Sequence, residues 1–399
     1  MKRYRIVLVS AVCAMMLLGA LSAAGCGKKS EGEGGATGEP IKIGVVLSAS
    51  GGNEPLGKAE KAAIELFVEQ VNAAGGINGR PLEVIIKDDA SDNNQALEKA
   101  RDLVAEDVPV IIGSSGTGTT LAMKDVTYES KVPQVCMAAG NSITASKAEW
   151  IFRTPPTDAM AAERALIYVR DVLKVSKVAI LYDNNAFGKD GNDVLSRMAP
   201  NYNIEVVANE AYGGNDTEEQ MDNHLTNIQS SNPQALIVWG TNPGPAIARK
   251  RMVVKGMDIP FIGSHGIANA KFIELAGDAA EGVVLPAGKM LVWQDALEPG
   301  SAQYELVKKF SEDYKAKTGS DPNTFAGHGW DAMLIVQDAL KRAGNDLSPE
   351  AVRNAIEKVS GLVGTAGVFT FSPEDHNGGL SAKDLVMVKI EGGKWKMVK

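Results

Sequence analysis

The chain has 399 residues, of which 44% are hydrophobic and 23% charged, and its formal net charge is −8. This acidic balance argues against a nucleic-acid partner, which requires a basic surface. The length is ample for well-packed cores and predicts about two domains.

The first residues predict an exported, lipid-anchored protein. Three cations within residues 1–5 precede an apolar run over 6–21, and small residues then lead to Cys26. This order is typical of a secretory signal, and the run is shorter than the ~20 residues of a membrane span. We expect a signal peptide over 1–25 and a bacterial lipobox that makes Cys26 the lipidated first residue of the mature chain, although Ala23 replaces the more usual Leu. A simple signal peptide cut nearby is the alternative.

A flexible, glycine-rich and charged tether is predicted over residues 26–39. The expected location is the periplasm or the outer face of the cell envelope, with the lipid as the only membrane attachment. Removal of the leader with its three cations takes the formal charge from −8 to −11. Cys136 is then the one cysteine left in the folded body, so no intrachain disulfide is available and a core position is expected.

The body of the chain begins with alternating strands and helices. Short apolar runs predict strands, and the segments between them carry apolar residues at helical spacing, as in the stripe of Ile64, Phe67, Val68 and Val71. Such alternation predicts right-handed crossovers and a parallel sheet covered on both faces. The strands predicted in this half are 41–47, 82–86, 108–112 and 134–138.

The alternation breaks at residues 153–158, where two prolines predict a stiff crossing between lobes. It then restarts, with strands predicted at 178–182, 204–207, 235–239, 261–262 and 283–285. Long helices are predicted at 303–317, 325–342 and 349–358, before final strands at 368–371, 385–390 and 395–398. The predicted fold class is therefore α/β, with two similar parallel-sheet lobes.

The loop after the third strand is the first candidate site. Gly113 ends an apolar strand, small and hydroxyl residues follow, and a helix is predicted from Thr119. Ligands of open parallel sheets bind beyond the carboxyl ends of strands, where helix N–H groups attract anions. The loop contains no Lys or Arg, so it suits a small carboxylate better than a polyphosphate. An ordinary strand–helix connection that needs glycine is the alternative.

Several segments resemble the leucine/isoleucine/valine-binding proteins of bacterial ABC importers. They are residues 41–47, 73–81 (AAGGINGRP), 88–92, 152–154 and 183–188. The resemblance implies a type I periplasmic binding protein with two Rossmann-like lobes, joined by three hinge crossings near 154–158, 285–290 and 360–367. Lobe one would comprise 40–156 plus 287–360, and lobe two 157–286 plus 361–399.

The resemblance also implies how lobe one holds a ligand. In the family, a hydroxyl and backbone amides after the third strand and a carbonyl after the fourth bind the carboxylate and ammonium. The matching positions are Thr117 and Ala138, and the predicted site includes Ser115 and Gly140 from the same two loops. Charge-assisted hydrogen bonds contribute about 1.5–3 kcal/mol each, so two or three can hold a small zwitterion.

The sequence departs from the family in lobe two. Thr241 stands at the position of an aromatic residue, and His265 replaces the acid that completes the ammonium site. Because a buried ammonium without a counter-charge is costly, either another acid replaces it, with Asp183 the nearest candidate, or the ligand has no free α-amino group. A carboxylate or an amide contacting His265 would fit equally well.

The resemblance implies two more apolar residues in the site, and the sequence lacks one feature of the family. Phe187 and Leu56 match positions that line the cleft, and both could instead be packing residues. The family's disulfide in lobe one is absent, since Ser91 and Gly116 occupy the matching positions.

No enzyme is indicated. The chain has no Gly-x-Ser-x-Gly elbow, no lysine in the glycine loop and no full dinucleotide fingerprint. Its four histidines lack metal-ligand spacing, so no metal or cofactor is expected. The predicted function is that of a monomeric solute-binding component of an ABC importer, which closes on a branched-chain or other small amino acid. The alternatives are an aromatic or other carboxylate, an amide, or a sensor that docks on a receptor.

Overall fold

The computed structural model describes residues 38–398, so the predicted signal peptide, Cys26 and most of the tether lie outside this range. Within it, two separate parallel-dominated sheets carry the helices, which confirms the predicted α/β class. Among these residues no helix has both the length and the apolar character needed to cross a bilayer.

The first sheet has five parallel strands in the order β2-β1-β3-β4-β5. β1 is almost wholly buried, as expected of a strand covered on both faces. The strands are β1 (Ile41–Leu47), β2 (Leu82–Asp88), β3 (Ile111–Ile112), β4 (Gln134–Cys136) and β5 (Ile151–Arg153). The helices between them are α1 (Glu54–Ala73), α2 (Asn93–Ala105) and α3 (Thr117–Ser130). Cys136 is buried and free, as predicted.

The second sheet has seven strands in the order β14-β13-β10-β9-β8-β6-β7. Its first five strands in the chain are parallel, whereas β13 and β14 are added antiparallel at one edge. The strands are β6 (Lys177–Asp183), β7 (Glu205–Tyr212), β8 (Ala235–Trp239), β9 (Phe261–Gly263), β10 (Val284–Gly288), β13 (Leu385–Glu391) and β14 (Lys394–Met397). Its helices are α4 (Asp158–Tyr168), α5 (Ala186–Met198), α6 (Glu218–Ser230), α7 (Gly244–Val254) and α8 (Ala270–Ala276).

After β10 the chain returns to the first core. The returning elements are α9 (Trp293–Ala296), α10 (Ala302–Thr318), α11 (Thr324–Ala343), α12 (Pro349–Ile356), β11 (Leu362–Val363) and β12 (Val368–Phe369). α11 packs along α1, where the rings of Trp330 and Phe67 meet edge to face at 4.9 Å. We call the five-stranded sheet and the elements packed on it lobe one, and the seven-stranded sheet with its helices lobe two.

The third passage between the lobes lies later in the chain than the expected 360–367. Phe369, Phe371 and Leu380 are buried in the core of lobe one, and the chain joins the second sheet only at Leu385. A buried carboxylate, Asp331 of α11, accepts hydrogen bonds from the N–H groups of Thr365 and Ala366 at 2.6 and 2.9 Å. These bonds fix the β11–β12 hairpin to lobe one, although the sequence had suggested lobe two.

Candidate functional site

The loop between β3 and α3 presents backbone donors at the edge of the first sheet. α3 begins at Thr117, and its N-cap is Gly116, which has no side-chain oxygen to accept from the first-turn N–H groups. The Thr117 side chain is only 3% exposed, and its Oγ1 has no hydrogen-bond partner within residues 38–398. A hydroxyl and several N–H groups thus remain available to an anion.

The base of this loop is held by a buried hydrogen-bond network. Ser115 Oγ donates to Glu60 and accepts from the backbone N–H of Ser48 at 3.0 Å. Asp89 accepts from the hydroxyls of Ser48 and Ser114 at 2.7 and 2.5 Å. Burial raises the pKa of Glu60 to about 8, so this carboxyl is mostly protonated at neutral pH. The network orients the loop without any ligand.

The loop opens into a cavity of about 370 Å³ between the two lobes. Seven of the eight predicted ligand-binding residues line it: Leu56, Ser115, Thr117, Ala138, Phe187, Thr241 and His265. The eighth, Gly140, is not in the lining. It packs instead between Thr117 and Asp190, close enough that a Cβ would lie 2.3 Å from Thr117 Cγ2.

The carbonyl of Ala138 already has an internal partner. Arg153, which is fully buried, donates from Nη1 to Ala138 O and from Nη2 to Gly140 O, both at 2.8 Å. The family resemblance had implied that Ala138 O would accept from a ligand's ammonium group. A cation so close to this carbonyl disfavours a second positive charge there.

His265 lies in the opposite wall and packs against two aromatic rings, of which only Phe187 also lines the cavity in the described part of the chain. The rings of Phe187 and Trp239 pack edge-on against its imidazole at 5.5 and 5.6 Å. Both imidazole nitrogens are buried without a hydrogen-bond partner among the described residues. Burial, with a smaller contribution from the charge of Arg153, lowers the pKa of His265 to about 4. The imidazole is therefore neutral at neutral pH.

A buried acid that sequence reasoning missed lies behind this wall. Asp158, at the start of α4, is 0% exposed, and its Oδ1 is 3.5 Å from His265 Nε2. Neither carboxylate oxygen accepts a hydrogen bond of good geometry in the described part of the chain, although the Trp239 indole is close enough to oppose part of the pKa shift. Burial, with Asp190 nearby, raises the pKa of Asp158 well above its ordinary value.

Other lining residues were also missed. They are mostly polar or aromatic side chains at the starts of helices: Asn53, Ser91, Asn93, Asn184, Asn185, Lys189, Phe325 and His328. The polar loops after β1, β2 and β6 could have indicated the first five. Each of these loops comes directly after the carboxyl end of a parallel strand, as the β3–α3 loop does. Phe325 and His328 come from α11, and no local signal marks them.

The charges that line the cavity are unequal. Among residues 38–398, Lys189 is the single Lys or Arg in its lining, and no Asp or Glu of that range lines it. Asp183, suggested from the sequence as a replacement acid, lines a neighbouring cavity instead. Thr241 Oγ1 donates to Asn53 Oδ1 at 3.3 Å, which joins lobe two to lobe one beside both cavities. No group of three potential metal ligands occurs among residues 38–398.

Comparisons with known proteins agree with this architecture. Residues 40–394 match a family model described as periplasmic binding protein. A Leu/Ile/Val-binding protein homolog 3 from Brucella melitensis is 26% identical over 89% of this chain and 92% of its own length. The leucine-, isoleucine-, valine-, threonine- and alanine-binding protein of Pseudomonas aeruginosa is 25% identical, covering 80% and 82%.

Solved structures are similar over the same range. An extracellular ligand-binding receptor from Rhodopseudomonas palustris superposes with a TM-score of 0.82 at 27% identity, over 90% of this chain and 99% of that one. A branched-chain amino acid transporter substrate-binding protein from Streptococcus pneumoniae, solved in complex with isoleucine, has a TM-score of 0.78 at 25% identity, with coverage of 90% and 99%.

Proposed function

This chain belongs to the periplasmic binding protein family, and from that membership we propose that it captures a small carboxylate for an ABC importer. Solute binding outside the cytoplasm, rather than catalysis, is the role of this family. A branched-chain or other small amino acid is the first candidate ligand, because several relatives carry that specificity in their names. The ligand would favour the closed state by contacting both lobes.

One observation supports a carboxylate in particular. The buried Thr117 hydroxyl, unpartnered among the described residues, lies at the N-terminus of α3 in the wall of a cavity that both lobes line. A carboxylate there would accept hydrogen bonds from the hydroxyl and the first-turn N–H groups, and it would gain from the helix dipole.

A second candidate is a carboxylate without an amino group, such as an aromatic acid. It is favoured by the lining of the cavity between the lobes, to which the described residues contribute Lys189 but no Asp or Glu, and by the aromatic rings of Phe187 and Phe325. An amide is compatible with the same wall, since the neutral imidazole of His265 imposes no charge requirement.

Calorimetry on the purified protein tests carboxylate capture. The ligands are leucine, 4-methylpentanoate, which is leucine without its amino group, and benzoate. Thr117→Val keeps the side-chain shape but removes the hydroxyl, and it should weaken binding about tenfold or more. Thr226→Val on the exposed side of α6 is the control. An unchanged affinity in Thr117→Val would remove this residue from the site, and no binding by any acid would contradict the proposal.

We further propose that Cys26 carries a lipid anchor that holds the mature protein at the cell envelope. The sequence of residues 1–26 is the basis for this proposal. Cys26→Ser should move the protein from the detergent phase to the aqueous phase in a phase-partition experiment. Retention of Cys26→Ser in the detergent phase would contradict lipidation at this residue.

A further inference from the structure

Lys189 brings a positive charge to the wall of the cavity between the lobes. It lies near the N-terminus of α5, in lobe two, and its side chain is exposed. Among residues 38–398 this side chain belongs to no ion pair and makes no hydrogen bond. The helix dipole disfavours a cation near a helix N-terminus, so the charge does not help α5 to form. An anion in the cavity would offset this unfavourable interaction.

The acids closest to Lys189 in the chain line other cavities. Asp183 lines the neighbouring cavity, and its Oδ1 accepts from the backbone N–H of Asn185 at 3.1 Å. Asp190 and Asp193 line a third cavity, on the other side of α5 from Lys189. The described residues of the cleft wall therefore leave the charge of Lys189 without a counter-charge, and this favours an anion beside it.

Asparagine side chains add hydrogen-bond donors in both lobes. The Oδ1 of Asn185 caps α5 by accepting from the N–H of Gly188 at 2.9 Å, so its side-chain NH₂ remains to donate beside Lys189. In lobe one, the Oδ1 of Asn53 accepts a hydrogen bond from lobe two at 3.3 Å. The NH₂ of Asn53 then lies near the N-cap of α3, since its Nδ2 would be 2.7 Å from a Cβ at Gly116. Each lobe thus presents its own set of donors to the cavity.

The number of donors decides how many acid groups the cavity suits. A carboxylate has about four lone-pair sites for hydrogen bonds. In lobe one, the Thr117 hydroxyl, the first-turn N–H groups of α3 and the NH₂ of Asn53 supply about as many donors. The ammonium of Lys189 and the NH₂ of Asn185 remain for a second anionic group in lobe two.

We propose that the cleft binds a small dicarboxylate, whose first carboxylate meets Thr117 and the N-terminus of α3 and whose second is held by Lys189. This inference rests on the proposed capture of a carboxylate, and it deepens that proposal by naming a ligand class that the names of the relatives do not include. Because the two acid groups contact different lobes, the second carboxylate also favours the closed state. Lys189 is then the residue that separates dicarboxylates from acids with a single charge.

Calorimetry at low ionic strength tests the inference with matched pairs of acids. Pentanoate is compared with pentanedioate, and hexanoate with hexanedioate, so that each pair differs only in whether the far end is a methyl group or a carboxylate. In the wild type at least one dicarboxylate should bind about tenfold or more tightly than its partner, because it gains a charge-assisted hydrogen bond. Added salt should reduce this preference.

Three variants show whether Lys189 is the cause. Lys189→Met keeps an unbranched side chain at an exposed position, so it should fold normally, and it should reduce the preference for the dicarboxylate about tenfold or more. Lys189→Arg keeps the charge and should retain most of the preference. Lys250→Met is the control, because Lys250 is also exposed on a lobe-two helix, α7, but lies outside the cavity lining. It should leave the preference unchanged.

The outcomes separate the inference from the proposed function. If acids bind but the wild type does not prefer either dicarboxylate, or if Lys189→Met keeps the preference, the dicarboxylate is wrong while carboxylate capture stands. An equal loss of preference in Lys250→Met and Lys189→Met would overturn the role of Lys189 in favour of a general effect of charge. If none of these acids binds but leucine or benzoate does, only the dicarboxylate is contradicted. If no acid of either set binds, carboxylate capture itself is contradicted as well.

Discussion

The two walls of the cavity between the lobes differ in what holds them in place, although each buries polar atoms without a partner among residues 38–398, Thr117 Oγ1 and Glu60 Oε1 in lobe one and both His265 nitrogens in lobe two. On the lobe-one wall, Ser115 and its neighbours are linked by short hydrogen bonds to Glu60 and Asp89. In lobe two, His265 in the wall and Asp158 and Trp239 behind it bury polar atoms that have no partners among the described residues.

This contrast indicates what each wall contributes to ligand recognition. The hydrogen bonds to Glu60 and Asp89 hold the lobe-one loop in one conformation before any ligand arrives, which reduces the entropic cost of binding. Unpaired buried groups are energetically unfavourable until something bonds to them. Thr117 Oγ1 is such a group on the lobe-one wall and the His265 nitrogens are such groups on the lobe-two wall, so we expect both walls to contribute to what the cleft binds.

The largest expected effect concerns the hydrogen-bond network behind the lobe-one wall. In the folded protein the pKa of Glu60 is about 8, against an ordinary 4.5. The folded state therefore holds this proton more tightly than the unfolded state, and the free energy of unfolding falls as pH rises from about 4.5 to about 8. Glu60→Gln should remove this decline and raise the free energy of unfolding at pH 8 by about 2–4 kcal/mol.

Urea denaturation at pH 5 and pH 8 measures this effect. Glu65→Gln, on a more exposed face of the same helix, is the control and should follow the wild type at both values. An identical pH dependence in Glu60→Gln and the wild type would show that the buried carboxyl does not carry the penalty.

The next effect concerns the contact between the walls. The backbone of Gly140 has φ −52° and ψ 132°, which alanine adopts readily. Gly140→Ala therefore tests only whether there is room for a side chain at this position. The added Cβ would lie 2.3 Å from Thr117 Cγ2 in lobe one and 2.7 Å from Asp190 Oδ2 in lobe two. Overpacking of this kind costs about 1–3 kcal/mol, so affinity for whichever carboxylate binds should fall about tenfold to a hundredfold.

Calorimetry measures the loss, and Gly214→Ala is the matched control because its Cβ would have no neighbour within 4 Å. Equal affinities for Gly140→Ala and Gly214→Ala would mean that the ligand binds without this close approach of the lobes.

The smallest effect concerns a single bridge between the lobes. Ser142 donates to Asp190 Oδ2 from its Oγ at 2.6 Å and from its backbone N–H at 3.1 Å. Ser142→Ala removes the first bond and keeps the second, so binding measured by calorimetry should weaken about two- to tenfold. Ser196→Ala, on α5 itself, should not change it. A loss in Ser142→Ala greater than that in Gly140→Ala would reverse the expected order and make the bridge the main determinant of closure.

Much of the fold could be predicted because its signals are local. The buried strands and the apolar stripe of α1 follow from periodicity, and the β3–α3 loop follows from glycine and hydroxyl residues after an apolar run. The lobe-one wall around Thr117 and Ser115 was accessible from the sequence for the same reason: strand, loop and helix are contiguous.

The rest was decided by contacts between residues far apart in the chain. Asp158 lies more than a hundred positions from His265, and only the packing of α4 against the second sheet brings them within 3.5 Å. The third passage between the lobes comes later in the chain than expected because Asp331 of α11 accepts a hydrogen bond from Thr365 and so keeps that segment on lobe one. Asp183 lines the neighbouring cavity rather than the one beside Thr117, because β6 pairs with β7 and this places Asp183 next to Tyr212. Local composition encodes elements and their N-termini, whereas burial, pairing and the choice of cavity for each charge arise only once the chain has packed.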